Sequence, residues 1–565
     1  MDNEVSDIDD NKFFLAKDGK TNAKNELYAT IKSLLTETTF DNNSTACRFP
    51  ARKEWLKEQL DITDFPQVKC TEYDKILKRL TPKSATLVFP AAHINSPASM
   101  FGHTFLRINS AYKSKLLSYA INYAANANSE TENGVVFAIK GLFGGYYGQY
   151  SLLPYYEKLK EYRDSEQRDI WEYNLNLNES EVLTMVQHMW ELNGALSKYY
   201  FATQNCSYNM LWFLEIARPS VELREYFNYQ VIPLETIHAA SNELLIKDDN
   251  YRASKRTILL EYEALINSNY LNIPRELVNS KISINEVIND AEIPIQQKMY
   301  ILEASTEFLE YSFIKNDMDK QQYLELFHNI TKARASLGKG KKLNIKQPPN
   351  PINGHRAVRT TFGYGSREDE SIGILGIRPS YHDLEDSNYG FLRGTQIEFL
   401  NLLLSYNQDQ LEVEKATILS IKSIAQRSEF FDSFSWRTKF GWDKNYTNDK
   451  TNFIATVGAG FSWGNELGYA YVMADPLFYV EYKFVSALNG SIGLVIDKYK
   501  FMSTNFEVAR RYYDTGIKQN LIKVIQGFRL SKNLQLKVKY DYKERYLYSQ
   551  KKNEESYIAT LNYYF

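Results

Sequence analysis

The chain has 565 residues, enough for three or four domains, and its 67 Lys plus Arg against 69 Asp plus Glu leave a formal net charge of -2. That balance excludes a chain-wide polycation of the kind that binds nucleic acid by neutralising phosphates. The sequence has no uninterrupted apolar run of the roughly 18 residues that a spanning helix needs, but 14% of it is aromatic, with 42 Tyr and 31 Phe. Tyrosine-rich strands at a membrane interface would account for that excess, and so would a low-GC genome.

Residues 1–80 read as a charged helical segment. Glu26 to Leu35 and Ala51 to Leu60 carry apolar positions at helical spacing, with Pro50 at the first turn of the second stretch. Met1-Asp2-Asn3-Glu4 lacks the apolar core of a secretory signal, so the protein is expected to be either cytosolic or already processed after export. The three cysteines divide two and one: Cys47 and Cys70 lie 70 − 47 = 23 residues apart, and Cys206 stands alone. A structural disulfide with one working thiol fits that count, and three reduced, buried thiols are the competing reading.

Beyond Pro82 the pattern changes to strands at Ala85–Phe89, Thr104–Ile108 and Leu116–Tyr123, which open a compact α+β unit over 81–248. Gly141 to Gly148 reads as a flexible aromatic loop. It has no following Lys-Ser/Thr, so it is not a phosphate-binding loop. Helices are expected at Ser180–Tyr199 and Ser207–Ala217, and a helical linking region over 249–353 ends in the Pro348-Pro349-Asn350-Pro351 linker.

From 354 to 565 the period is two. Leu534, Leu536, Val538, Tyr540 and Tyr542 alternate with Gln535, Lys537, Lys539, Asp541 and Lys543, and the odd positions from Tyr557 to Phe565 are apolar. About twelve such segments of membrane-crossing length predict an antiparallel transmembrane β-barrel rather than a soluble sandwich, whose strands are shorter. A barrel of this kind is placed in the outer membrane from the periplasm. The expectation therefore moves to a removed signal peptide, and the case for a Cys47–Cys70 bridge strengthens.

Chemistry concentrates around Cys206, which precedes a strongly helical run, so the macrodipole favours its thiolate. His103 opens an apolar strand from which its ring can face a helix N-terminus packed on the sheet. His93 lies ten residues earlier, a spacing that does not suit two ligands on one helix, and there is no HExxH, so no metal is expected. Ser99 lies in the same stretch, whose serines lack the GxSxG elbow of a serine hydrolase.

His93 to Ile108, the Asn205-Cys206 pair and Cys47-Arg48-Phe49-Pro50-Ala51-Arg52 together resemble the family that contains the Lnb-type lipoprotein N-acyltransferase periplasmic domain. That domain is similar to circularly permuted papain-like cysteine enzymes, the group that includes lecithin retinol acyltransferase. The resemblance covers roughly residues 1–350. It implies Cys206 as nucleophile, His103 as base and an orienting residue on the following strand, for which Asn122 is chosen over Tyr119 and His93, with Ser99 and Asn205 as support. It further implies a periplasm-facing acyltransferase or lipid/lipoprotein hydrolase that works through a thioester without a cofactor, on a membrane lipid or lipoprotein. Backbone N–H groups at the start of the helix would hold the oxyanion. A cell-wall thiol peptidase or amidase, and a barrel carrying a degenerate binding or assembly module, are the alternatives.

Overall fold

The computed structural model describes residues 5–38, 41–61, 65–92, 101–112, 114–126, 140–141, 143–315, 317–407, 410–445, 450–480, 484–547 and 550–565. It separates into two compact units. The first comprises Met1–Pro90 with Gly102–Ser254, and the second Ala91–Phe101 with Lys255–Phe565.

In the first unit, α1 (Ala23–Leu35), α2 (Thr45–Arg48), α3 (Pro50–Leu60) and α4 (Thr71–Leu80) precede the sheet. Cys47 in α2 is disulfide-bonded to Cys70, the N-cap of α4, so the bridge joins two short elements that bury little by themselves. The Arg48–Arg52 stretch is structural. Arg52 pairs with Glu26 at 2.6 Å, lies over the Phe49 ring at 4.1 Å, and donates its backbone N–H to Glu191.

The sheet contains β1 (Pro82–Pro90), β2 (Phe105–Ser110), β3 (Tyr119–Ala125), β4 (Tyr146–Pro154), β5 (Ile170–Leu175), β6 (Leu196–Tyr199) and β7 (Ile246–Arg252). Its order is β6-β4-β3-β2-β1-β5-β7, antiparallel throughout. One face packs Val88, Phe105, Ala120, Tyr155 and Tyr162 into a core. Beside it, Arg107 and Glu172, both without solvent exposure, pair at 2.6 Å, while Tyr155 and Arg252 also donate to Glu172. This network ties β2, β5 and β7 together.

The structure corrects two expectations here. Ser180–Tyr199 is not one helix. After α5 (Tyr155–Leu159), the capping box of Asn178 and Glu181 starts α6 at Glu179, and α6 ends at Glu191. Gly194, at φ +81°, then turns the chain into edge strand β6. Nor is Gly141–Gly148 wholly a loop, since β4 begins at Tyr146. Gly148 admits the Tyr123 ring, which would stand 2.2 Å from an added Cβ.

Two further helices, α7 (Cys206–Ala217) and α8 (Pro233–Asn242), complete the unit, and α7 contacts β2 and β3. β7 continues past residue 248, so the sheet runs beyond the boundary expected for this domain.

The second unit begins with α9 (Lys255–Leu265), α10 (Ile273–Val278), α11 (Ile284–Asn289), α12 (Ile295–Ile314) and α13 (Lys320–Ser336). These share a core that Phe430 and Phe431 also enter. The strands that follow are β8 (Arg359–Arg367), β9 (Glu370–Arg378), β10 (Ser380–His382), β11 (Thr395–Asn407), β12 (Gln410–Ser423), β13 (Gln426–Arg427), β14 (Ser435–Asp443), β15 (Asn452–Gly464), β16 (Gly468–Val480), β17 (Phe484–Ile496), β18 (Met502–Tyr513), β19 (Lys518–Ser531), β20 (Leu534–Leu547) and β21 (Gln550–Tyr564).

β10 resumes the line of β9 along β11, and β13 lies off the main path. The remaining twelve strands run antiparallel from β11 round to β9, and the β9–β11 pairing closes the barrel. Alternation then sorts the side chains. Val457, Val472, Ile492, Val538 and Leu561 are exposed on the outside, whereas Asp475, Asn489, Gln535, Lys537 and Asn562 are buried within. Among the described residues no helix is long and apolar enough to cross a membrane.

Candidate active site

The site forms where the N-terminus of α7 meets the start of β2. Asn205 caps the helix: its Oδ1 accepts from the Ser207 and Tyr208 N–H groups at 3.0 and 3.2 Å, and its Nδ2 donates to the Phe201 and Val231 carbonyls. Cys206 is thereby fixed at the first helical position, as the only free cysteine and with 5% exposure. Gly102, at φ +88° and packed against Phe89, turns the chain so that the His103 N–H reaches the Pro90 carbonyl at 3.3 Å.

His103 Nε2 lies 3.0 Å from Asn122 Oδ1, and the imidazole is close enough to Cys206 for each to favour the charged form of the other. With Nε2 engaged by Asn122, Nδ1 is the nitrogen left to face sulfur. The ring stacks on Tyr162 at 5.5 Å, which limits its rotation. Burial pushes the Cys206 thiol up, but the charge and hydrogen bond of His103, the Thr104 N–H and the Ser207 hydroxyl outweigh it and bring the pKa down to about 7. Burial likewise opposes a charge on His103, yet the adjacent thiolate raises its pKa.

Three neighbours were not singled out in the sequence. The Tyr199 hydroxyl accepts the Cys206 N–H at 3.2 Å. Ser207 Oγ lies 3.7 Å from the sulfur and accepts from the Thr104 hydroxyl at 2.7 Å. This arrangement corrects the expected oxyanion site, because the first three N–H groups of α7 are already taken by Tyr199 and Asn205.

Of the remaining expected residues, Tyr119 is not brought to the site. It is three positions from Asn122 on the other face of β3, with the Arg79 guanidinium over its ring at 5.4 Å. His93 and Ser99 lie outside the described residues.

Among the described residues one trio, His355, His382 and Asp386 in the second unit, holds ligand-type atoms within 4.8 Å of one another. It does not fit a divalent cation. Asp386 already pairs with Arg359, Arg378 and Lys537, and the two rings hydrogen-bond each other at 3.0 Å.

Residues 72–243 match the family model of the Lnb N-terminal periplasmic domain. The Lnb-type match contains Cys206, His103, Asn122 and Tyr199. Residues 348–564 and 1–59 match two models described as domains of unknown function (DUF7840 and DUF7843). No curated protein matches the chain.

Among solved structures, the KdgM porin is 13% identical, with 37% of this chain and 99% of that one covered at a TM-score of 0.24. The NanC porin is 9% identical, with 37% and 100% covered and a TM-score of 0.26. The COG4313 outer membrane channel from Pseudomonas putida F1 is 10% identical, with 39% and 97% covered and a TM-score of 0.26. The barrel itself is established by its strand pairing and apolar outer surface. The chain is an outer-membrane β-barrel protein with a periplasmic N-terminal domain of Lnb type.

Proposed function

We propose that the Lnb-type domain is a cysteine acyltransferase or hydrolase that takes an acyl group from a membrane lipid or lipoprotein. The observation that carries this reading is the alignment of Cys206, His103 and Asn122. A thiol brought to a pKa of about 7 faces an imidazole whose other nitrogen is held 3.0 Å from an amide oxygen.

Asn122 Oδ1 accepts from Nε2–H and so leaves the Nδ1 lone pair toward sulfur. His103 takes the thiol proton, and the thiolate attacks the acyl carbonyl carbon to form a tetrahedral oxyanion. The Tyr199 hydroxyl, already oriented by the Cys206 N–H, donates to that oxyanion as charge leaves the sulfur. Collapse breaks the ester or amide bond, the leaving group takes the proton from His103, and a thioester on Cys206 remains. An amine acceptor or water then attacks the thioester, returns a proton through His103 and frees the thiol.

The 5% exposure of Cys206 favours a second reading, in which the thiol is a sealed core residue of a binding module. Alkylation of the folded chain by iodoacetamide at pH 7.5 separates the two. A nucleophile is labelled in the native protein, whereas a sealed thiol is labelled only after unfolding.

A further inference from the structure

The barrel strands are joined on one side by the connections 383–394 and 424–434, the two longest on that side, where the chain also enters β8 and leaves β21. The first does not turn directly from β10 into the neighbouring β11. Asp386 pairs with Arg359 of β8 at 2.8 Å, Arg378 of β9 at 2.6 Å and Lys537 of β20 at 2.8 Å, and it accepts from Tyr564 of β21. Glu385 reaches Lys523, well inside β19, and its carbonyl accepts from Gln535 at 3.2 Å.

The same connection also touches the far wall. Leu384 packs against the cluster of Ile424, which follows β12, with Tyr469, Tyr471 and Met473 of β16 and Val495 of β17, all of them buried. Arg393 pairs with Asp497 in the β17–β18 turn and donates to the Asn465 carbonyl between β15 and β16. In the barrel order, β17 and β18 lie opposite the β9–β11 seam from which the connection springs. The segment therefore spans the lumen, pinned by ion pairs on one wall and by apolar contact and a further ion pair on the other.

We infer that the segment 383–394 closes the barrel from within, so that the barrel is an anchor rather than a pore. The inference rests on unit two alone and is independent of the thiol chemistry proposed above. A second crossing supports it. Arg437 of β14 reaches Glu507 of β18 at 3.1 Å and Ser491 of β17 at 2.8 Å, so another charged layer bridges the lumen.

Planar-bilayer recordings in KCl test the closure with the full chain. The parent should give no discrete conductance steps, whereas a variant with 384–392 replaced by a short Gly-Ser turn should give steady ones. Folding of each variant is read from heat-modifiable migration in gels. If the replacement does not fold, Leu384→Ser with Glu385→Gln leaves the Asp383 and Asp386 ion pairs in place and should give intermittent openings. A parent that conducts steadily would overturn the inference. So would a folded replacement, or a folded double variant, as silent as the parent.

Discussion

His103 and Asn122 meet across adjacent strands. The register that pairs Leu106 with Ile121 sets Asn122 opposite Phe105, two residues from His103, and His103 Nε2 lies 3.0 Å from Asn122 Oδ1. The contact fixes one nitrogen of the imidazole and leaves the other for Cys206. Because Asn122 acts by orientation, Asn122→Ala should slow acylation of Cys206 by on the order of 10²-fold or less. Cys206→Ala should abolish acylation, and the double variant should be no worse than Cys206→Ala. Single-turnover kinetics check this, and an unchanged rate in Asn122→Ala would remove its orienting role.

The thiol should titrate low. With its pKa brought down to about 7, the reactive thiolate is present above that pH and lost as pH falls through it. The rate of iodoacetamide labelling should therefore have a midpoint near 7 in the parent. In His103→Ala the midpoint should rise, since the imidazole, the largest influence that lowers it, is gone while burial still raises it. The same midpoint in both proteins would contradict the pairing.

Glu172 should hold the first unit together. Burial opposes its ionisation, but Arg107, Arg252 and the Tyr155 hydroxyl bring its pKa down to about 2 from an ordinary 4.5. A depressed carboxyl contributes stability that is fully present above pH 4.5 and lost as pH falls through 2. The difference corresponds to roughly 3 kcal/mol. Glu172→Gln leaves the Arg107 charge buried and should cost about 3–5 kcal/mol in denaturant unfolding of this unit. A loss below 1 kcal/mol would show that the network is not structural.

The Cys47–Cys70 bridge closes a loop with a sequence separation of 23, worth about 3 kcal/mol in the chain-entropy model. Protein unfolded without reductant should show one free thiol, that of Cys206. Cys47→Ser with Cys70→Ser should lose about that stability.

On the barrel, Val457 lies near the middle of β15 with its side chain outward and 60% exposed. Val457→Arg should cost about 2–4 kcal/mol on folding into liposomes, and Val457→Phe little. Equal tolerance of both would argue against a lipid-facing surface at this position.

Much of this was legible in the sequence because the barrel has one rule. Every second side chain faces lipid, so Leu534 to Tyr542 and Tyr557 to Phe565 announce their faces without tertiary information. Cys206 and His103 stand out as candidates by residue type and by their places before a helix and at the start of a strand, whereas Asn122 comes from the family resemblance, which puts an orienting residue on the next strand. Tyr199 was not, because the run through Leu192, Leu196 and Tyr199 keeps helical spacing, and only Asn193-Gly194 signals the turn into β6. From sequence the helix N–H groups read as free for the oxyanion, because nothing there shows that Asn205 and Tyr199 already occupy them. The lumen-crossing segment was hidden for a similar reason: Asp383 and Asp386 read as ordinary turn acids until Arg359, Arg378 and Lys537 are brought to them.

A thioester on Cys206 is visible to intact-protein mass spectrometry after the full chain is incubated with phospholipid and lipopeptide donors. The parent should carry a hydroxylamine-labile mass increase of one acyl chain, strongly reduced in His103→Ala and absent in Cys206→Ala. An equal adduct in Cys206→Ala, or none in a parent whose Cys206 is alkylated readily at pH 7.5, would contradict the thioester.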